Sequence, residues 1–259
     1  MILDFGYVCM EIGVKISRPL QIGKHIKAEE TTLQIGGSGA IQTIAAARAG
    51  ARISIIGTIG NDLFAENIKT VFRREGIITS SILKTNTSTP ISQKITDLSG
   101  KTTTIENKAG TLTMPTNQSA TNMFNERNLI LLHDNMNTEQ NLEILGRAKN
   151  AGCKIIMSFQ TENHINKGLL NNLDVAIISE GLAIPKSDNC HITPAAQNGF
   201  DCFCGTFAAC IQAGLKLTRA HEYAAHAQTL YQENENSGYA ALPYLTDIEK
   251  RVKKHKRTG

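Results

Sequence analysis

The sequence predicts an α/β protein that carries a small second β-sheet, and three observations carry that reading. Short apolar strand segments alternate with helical segments over most of the 259 residues, the rhythm of an α/β core. Residues 91–97 (ISQKITD) and 101–107 (KTTTIEN), both rich in Ile and Thr, flank Leu98-Ser99-Gly100 and interrupt that rhythm as a β-hairpin. Residues 12–35, broken by Pro19 and Gly23, read as short strands joined by turns that can join the hairpin in a sheet standing apart from the core.

Ile2 to Val8 is a short apolar run and reads as a buried strand. Residues 35–51 (IGGSGAIQTIAAARAGA) place three glycines at the start of an Ala-rich helix, a composition that packs closely against a sheet. Arg48 suits the last turn of that helix and Gly50 its end. Residues 52–57 (RISIIG) form the next strand. Asn61-Asp62 then precede an amphipathic helix from Leu63 to Glu75, with Asp62 as its N-cap and Gly76 as its stop. Further strands are predicted at Asn128–His133, Cys153–Ser158 and Val175–Ser179, and helices at Glu139–Ala151, Asp201–Gly214 and Arg219–Tyr231.

With 41% hydrophobic and 19% charged residues, 21 Gly, 6 Pro and no Trp, the chain is neither collagen-like, coiled-coil nor disordered. No apolar run approaches the roughly 18–20 residues of a membrane span. Met1-Ile2-Leu3-Asp4 shows no basic segment followed by an apolar one, so no signal peptide is expected and the expected location is the cytoplasm. The net charge of +4 is concentrated at the end: residues 250–259 (KRVKKHKRTG) hold six Lys or Arg, and the remainder has 21 basic against 23 acidic residues. A solvated, frayed basic tail is expected rather than a nucleic-acid or membrane contact. Cys9, Cys153, Cys190, Cys202, Cys204 and Cys210 follow no metal-ligand spacing and read as buried thiols, with no structural metal.

Four features are placed for chemistry: the glycine turn Gly36-Gly37-Ser38-Gly39, Asn61-Asp62 after a strand, Glu180 after a strand, and Asn198-Gly199-Phe200-Asp201 before a helix. In an open α/β sheet, ligands bind beyond the carboxyl ends of strands. Asp201 is the strongest candidate. Helix-start amides beside it can hold an anion, and its carboxylate can take a proton from a hydroxyl attacking a phosphate. Simple N-capping is the competing role.

In order and in detail, these motifs resemble the ribokinase-like (PfkB-type) carbohydrate kinase family. Residues 36–76 (GGSGAIQTIAAARAGARISIIGTIGNDLFAENIKTVFRREG) follow the family's N-terminal signature, and residues 198–215 (NGFDCFCGTFAACIQAGL) match its later signature more loosely. The resemblance implies a three-layer α/β/α core, a mostly parallel sheet, and a β lid from residues 12–35 and 91–107. It implies transfer of a phosphoryl group from ATP, with Mg²⁺, to a hydroxyl of a small sugar or sugar-like alcohol. Asp201 takes the place of the catalytic base, Asn198, Gly199 and Phe200 that of the anion hole, and Glu180 that of the acid organising Mg²⁺ and phosphate. Glu11, Gly36, Gly37, Ser38, Ile41 and Asn135 fall at substrate-binding positions.

The chain departs from the family pattern at several of these. Asn198-Gly199-Phe200-Asp201 replaces the usual G-A-G-D, Ile41 a sugar-binding asparagine, Ser38 a basic residue, Glu11 an aspartate, and Asn135 an acid. Only 20 residues separate Glu180 from Asp201, with two prolines and no amphipathic helix between them. That shortening implies lost sheet strands and an edge that a homodimer partner would cover. The alternative reading is an inactive pseudokinase that keeps the fold as a binding module.

Overall fold

The computed structural model of the chain describes residues 1–107, 123–162, 165–187 and 189–258. Of the segments read above, Asp188 in the proline-containing interval and Gly259 in the basic end lie outside the described residues. At the centre is a seven-stranded sheet of β1 (Ile2–Phe5), β4 (Ile53–Ile59), β5 (Ile82–Lys84), β8 (Leu129–His133), β9 (Lys154–Phe159), β10 (Val175–Ser179) and β11 (His191–Ala195). Their order is β11-β10-β9-β8-β1-β4-β5, and every pairing is parallel. β1, β4, β8 and β10 are buried at every position, as continuous apolar strands covered on both faces must be.

Alternate residues of these strands face two different cores. Ile2, Leu129, Leu131 and Ile177 pack with α1 (Ser38–Arg48), α2 (Leu63–Arg74), α5 (Phe200–Gln212), α6 (Leu217–Gln232) and α7 (Leu245–Thr258). Leu3, Ile130, Leu132 and Ile178 pack with α3 (Thr138–Asn150) and the single turn α4 (Lys167–Leu170). The result is the three-layer α/β/α fold. Helix α5 is buried from Phe200 through Ile211, apart from Asp201, because its Cys, Gly, Thr and Ala side chains let α1 and α6 close on either side of it.

The second sheet has the order β3-β2-β6-β7, from β2 (Cys9–Ile16), β3 (Ala28–Gly36), β6 (Ile91–Asp97) and β7 (Thr102–Glu106). The predicted hairpin is the antiparallel β6–β7 pair, and residues 12–35 supply β2 and β3, with β2 beginning earlier, at Cys9. Asp62 caps α2 as expected, its Oδ1 accepting from the Ala65 amide at 2.9 Å and the Thr89 hydroxyl at 2.6 Å.

Two expectations are corrected. Among the described residues between Glu180 and Gly199 there is no helix, but there is a strand, β11, paired along its whole length with β10. Its five residues include Pro194, and a short edge strand interrupted by proline is itself protected from further pairing. The basic end is also no frayed tail. Residues 250–258 complete α7, Ile248 and Val252 are buried, and Arg251 bonds both carboxylate oxygens of Glu233 at 2.7 and 2.8 Å. Dense charge on the outer face hid this narrow apolar stripe, spaced four residues apart. Deleting residues 250–259 is therefore expected to cost about 2–3 kcal/mol, mostly through loss of Val252 burial. Thermal unfolding should show a lowered midpoint; an unchanged one would restore the frayed-tail reading.

Candidate active site

The connections from β1 run to β4 and β5 on one side, then return to β8 and on to β11 on the other. That reversal leaves a crevice beyond the carboxyl ends of β1 and β8. A pocket of about 660 Å³ occupies it. Tyr7 follows β1, Asn135 follows β8, Gln160 follows β9 and Gln197 follows β11, so the strand ends supply one wall. The second sheet supplies another through Glu11, Gln34, Ser92, Lys94 and Glu106.

Helix α1 enters this crevice because two glycines let it. A Cβ on Gly39 would lie 2.5 Å from the Gly6 carbonyl carbon and 2.8 Å from the Tyr7 amide, so only glycine permits the first turn to touch the end of β1. From there α1 sends consecutive side chains inward to two acids, Asp201 at the pocket and the fully buried Asp4. Gln42 Nε2 donates to Asp201 Oδ1 at 2.8 Å and to Ser158 Oγ at 3.2 Å. Thr43 Oγ1 donates to Asp4 Oδ2 at 2.6 Å, while Asp4 Oδ1 lies 2.6 Å from His133 Nε2. Asp4, Gln42, Thr43 and His133 are all at most 1% exposed.

Electrostatics separate the two acids' surroundings. Burial opposes the charged form of His133, but the Asp4 charge and hydrogen bond outweigh it and hold the imidazole above its ordinary range. Burial raises the Asp201 carboxyl to about 6, against the opposing pull of the Gln42 hydrogen bond and the positive groups His133 and Lys94; Asp4 pushes it further up. A carboxyl poised there is ionised at neutral pH yet basic enough to accept a proton.

Asp201 does not cap its helix. The N-cap is Gly199, left-handed at φ 77°, and no side chain caps the turn, so first-turn N–H groups remain available to an anion. The loop before it is held from α6. Gln228 Nε2 donates to the carbonyls of Ala196 and Asn198 at 2.8 and 2.9 Å, and Gln232 Nε2 to that of Asn198 at 2.7 Å. Phe200 adds no obstructing bulk, because its side chain is 3% exposed and sits in the core. In the opposite wall, Glu11 pairs with Lys94 at 2.5 Å and accepts from Gln34 at 3.1 Å. Asn135 Nδ2 donates to Ser38 Oγ at 2.9 Å.

The structure thus brings together Asp201, Gly199, Phe200, Glu11, Gly36, Gly37, Ser38, Ile41 and Asn135 around one pocket. Asn198 and Glu180 are not among its lining residues. Asn198 acts through its carbonyl, held from α6. Glu180 is exposed just beyond β10, its amide bonded to the Ala195 carbonyl at 2.9 Å.

The model of the pfkB family of carbohydrate kinases matches residues 5–176, about two thirds of the chain. The chain belongs to this family. Sixty residues are 38% identical to a ribokinase of Haemophilus influenzae, a match that spans 23% of this chain and only 20% of that relative's length. The fold is shared much more widely. A ribokinase of Arabidopsis thaliana, solved with ribose and ATP, superposes with a TM-score of 0.84 at 16% identity, covering 97% of this chain and 98% of that one. A Thermotoga maritima ribokinase gives 0.83 at 18% identity, covering 97% and 99%. A nucleoside kinase of Methanocaldococcus jannaschii gives 0.77 at 12% identity, covering 98% of each chain. In this pfkB-family chain the glycine turn, β4 and β8 fall inside the family match, whereas all of β1 but Phe5 precedes it and β11 and Asp201 follow it.

Reasoning from sequence missed Asp4, Gln42, Gln160 and His133. The signals are slight: one acid in the strand ILDF, one imidazole ending LILLH, and one amide in an Ala-rich helix. A lone polar residue amid an apolar segment is the pattern to look for.

Proposed function

We propose that this chain transfers the γ-phosphoryl group of ATP to a hydroxyl of a small sugar or sugar-like alcohol, with Asp201 as the general base. The observation that carries this reading is the position of Asp201 on the pocket floor beside an uncapped helix start. The acceptor oxygen forms its bond to the γ-phosphorus as the bond to the β–γ bridging oxygen breaks. ADP leaves, and the hydroxyl proton passes to Asp201. The amides at Gly199 and Asp201 hold the phosphoryl oxygens, the Phe200 amide being bonded to the Gln197 carbonyl, with the loop kept in place by Gln228 and Gln232. Glu11, Gly36, Gly37, Ser38 and Asn135 orient the acceptor. Ile41, apolar where the family pattern has asparagine, gives this pocket a different acceptor preference from ribose kinases.

The residues fit a nucleotide at the start of α5, where the amides lack a side-chain cap. Glu180 is the carboxylate we assign to Mg²⁺, since its backbone is bound to Ala195, immediately before the loop leading to Asp201. Bound Mg²⁺ would neutralise charge on the transferring phosphates. Calorimetric titration with Mg-ATP tests this half of the site without a chosen sugar. Micromolar binding that weakens when Mg²⁺ is withheld is expected; no heat and no competition by ADP would remove the kinase reading.

The outer face of the lid sheet is assigned to a second copy of this chain. Leu33, Ile12, Gln93 and Ile105 align in one row across the four strands, and Thr31, Val14, Ile95 and Thr103 in the next. Leu33 and Ile105 are 55% and 51% exposed, and exposed apolar side chains brought side by side on one sheet face suit an interface. Sedimentation should report a dimer that Leu33→Lys converts to monomer; a monomeric wild type would refute it. The six buried, free thiols support a reducing location such as the cytoplasm. Among the described residues no helix is long and apolar enough to cross a membrane.

A further inference from the structure

We propose that Gln42 is the positioning residue for Asp201, pinning Oδ1 so that Oδ2 is the oxygen presented to the acceptor hydroxyl. The inference rests on Asp201 being the base. Three observations support it. The amides of Gln42, at 2.8 Å, and Gln160, at 3.5 Å, both reach Oδ1, and none of the described hydrogen bonds ends on Oδ2. The Gln42 side chain is oriented by its second acceptor, Ser158 Oγ, which in turn donates to the Leu132 carbonyl at 3.3 Å in the buried sheet. The same amide leaves its Oε1 buried and without a partner among the described residues, a cost a purely structural glutamine would avoid.

The backbone holds this arrangement rigidly. A Cβ on Gly205 of α5 would lie 2.1 Å from the Gln42 carbonyl oxygen, so the helix carrying the base and the helix carrying its donor touch at this residue. The titratable groups that face Asp201 from other elements include His133 at the end of β8, Asp4 of β1, Lys94 of β6 and Tyr231 of α6. None of these replaces the Gln42 hydrogen bond. Losing it removes a stabiliser of the carboxylate and moves the proton affinity upward.

The test reads the carboxylate as well as turnover. In the wild type, the Gln42 side-chain amide resonance, followed by NMR from pH 4.5 to 8, should titrate with Asp201 and become flat in Asp201→Asn. An amide insensitive to pH in the wild type would overturn the assignment, whether or not the protein has kinase activity. In Gln42→Met, the Asp201 carboxyl carbon should titrate at higher pH, and the acid limb of kcat/KM should move with it. kcat should fall about 10- to 100-fold while KM for the acceptor changes less than threefold. An unmoved carboxyl titration in a folded variant would refute the positioning role. Absence of phosphoryl transfer in the wild type together with a titrating amide would instead refute the kinase reading alone.

Discussion

Asp201→Asn is expected to lower turnover by about 10²–10⁴-fold, the usual contribution of a positioned general base, while making the protein more stable at neutral pH. The second half of that expectation follows from linkage. Burial raises the Asp201 carboxyl to about 6 in the folded protein, above its ordinary range in the unfolded chain. Ionised Asp201 therefore opposes folding above about pH 6, and that opposition disappears as pH falls toward 4. Removing the charge should add roughly 1–3 kcal/mol at pH 7.5 and nothing near pH 4. The unfolding midpoint should rise by several degrees at the higher pH. The Asn side chain still accepts from Gln42, so the architecture survives the change. Paired thermal scans at the two pH values check this, and equal stability of both proteins at pH 7.5 would contradict the burial assigned to Asp201.

Asp4→Ala should cause the largest loss of stability, about 3–5 kcal/mol. Thr43 and His133 hold the two oxygens of the carboxylate, and all three residues are buried. Removing it strands the imidazole without its counter-charge and the Thr43 hydroxyl without an acceptor. A fall of about 10 °C in the unfolding midpoint is expected. The pH dependence has a defined sign. The folded-state proton affinity of His133 is raised, so its contribution is complete below the ordinary imidazole range and lost as pH rises through the higher folded value. The variant should lose this alkaline decline. Chemical denaturation at pH 6 and pH 9 measures both effects, and a loss below 1 kcal/mol would show that the pair is dispensable.

The parts of the molecule legible in the sequence are those written locally. The glycines and alanines of α1, the Asp62 cap of α2 and the Ile/Thr arms of β6 and β7 each announce their structure within a few residues. β11 was hidden because Pro194 within it, and Pro185 shortly before it, read as loop, and only pairing with β10 makes HITPA a strand. α7 was hidden because dense charge obscured Ile248 and Val252. The site divides in the same way. Residues carried by a motif, such as Gly36, Gly37 and Asp201, were found by position. Asp4 and His133 are 129 residues apart in the chain and Gln42 and Asp201 are 159 apart, so nothing in either neighbourhood reveals the partner.

The measurement that bears most directly on the whole account is phosphorus NMR of the protein with Mg-ATP and a panel of small sugars and sugar-like alcohols. The account predicts a new phosphomonoester resonance with at least one acceptor, formed in step with ADP and absent at equal protein concentration in Asp201→Asn. Formation of no phosphomonoester while Mg-ATP still binds would identify a binding module that has kept the fold without the reaction, and equal product from the Asn variant would remove Asp201 as the base.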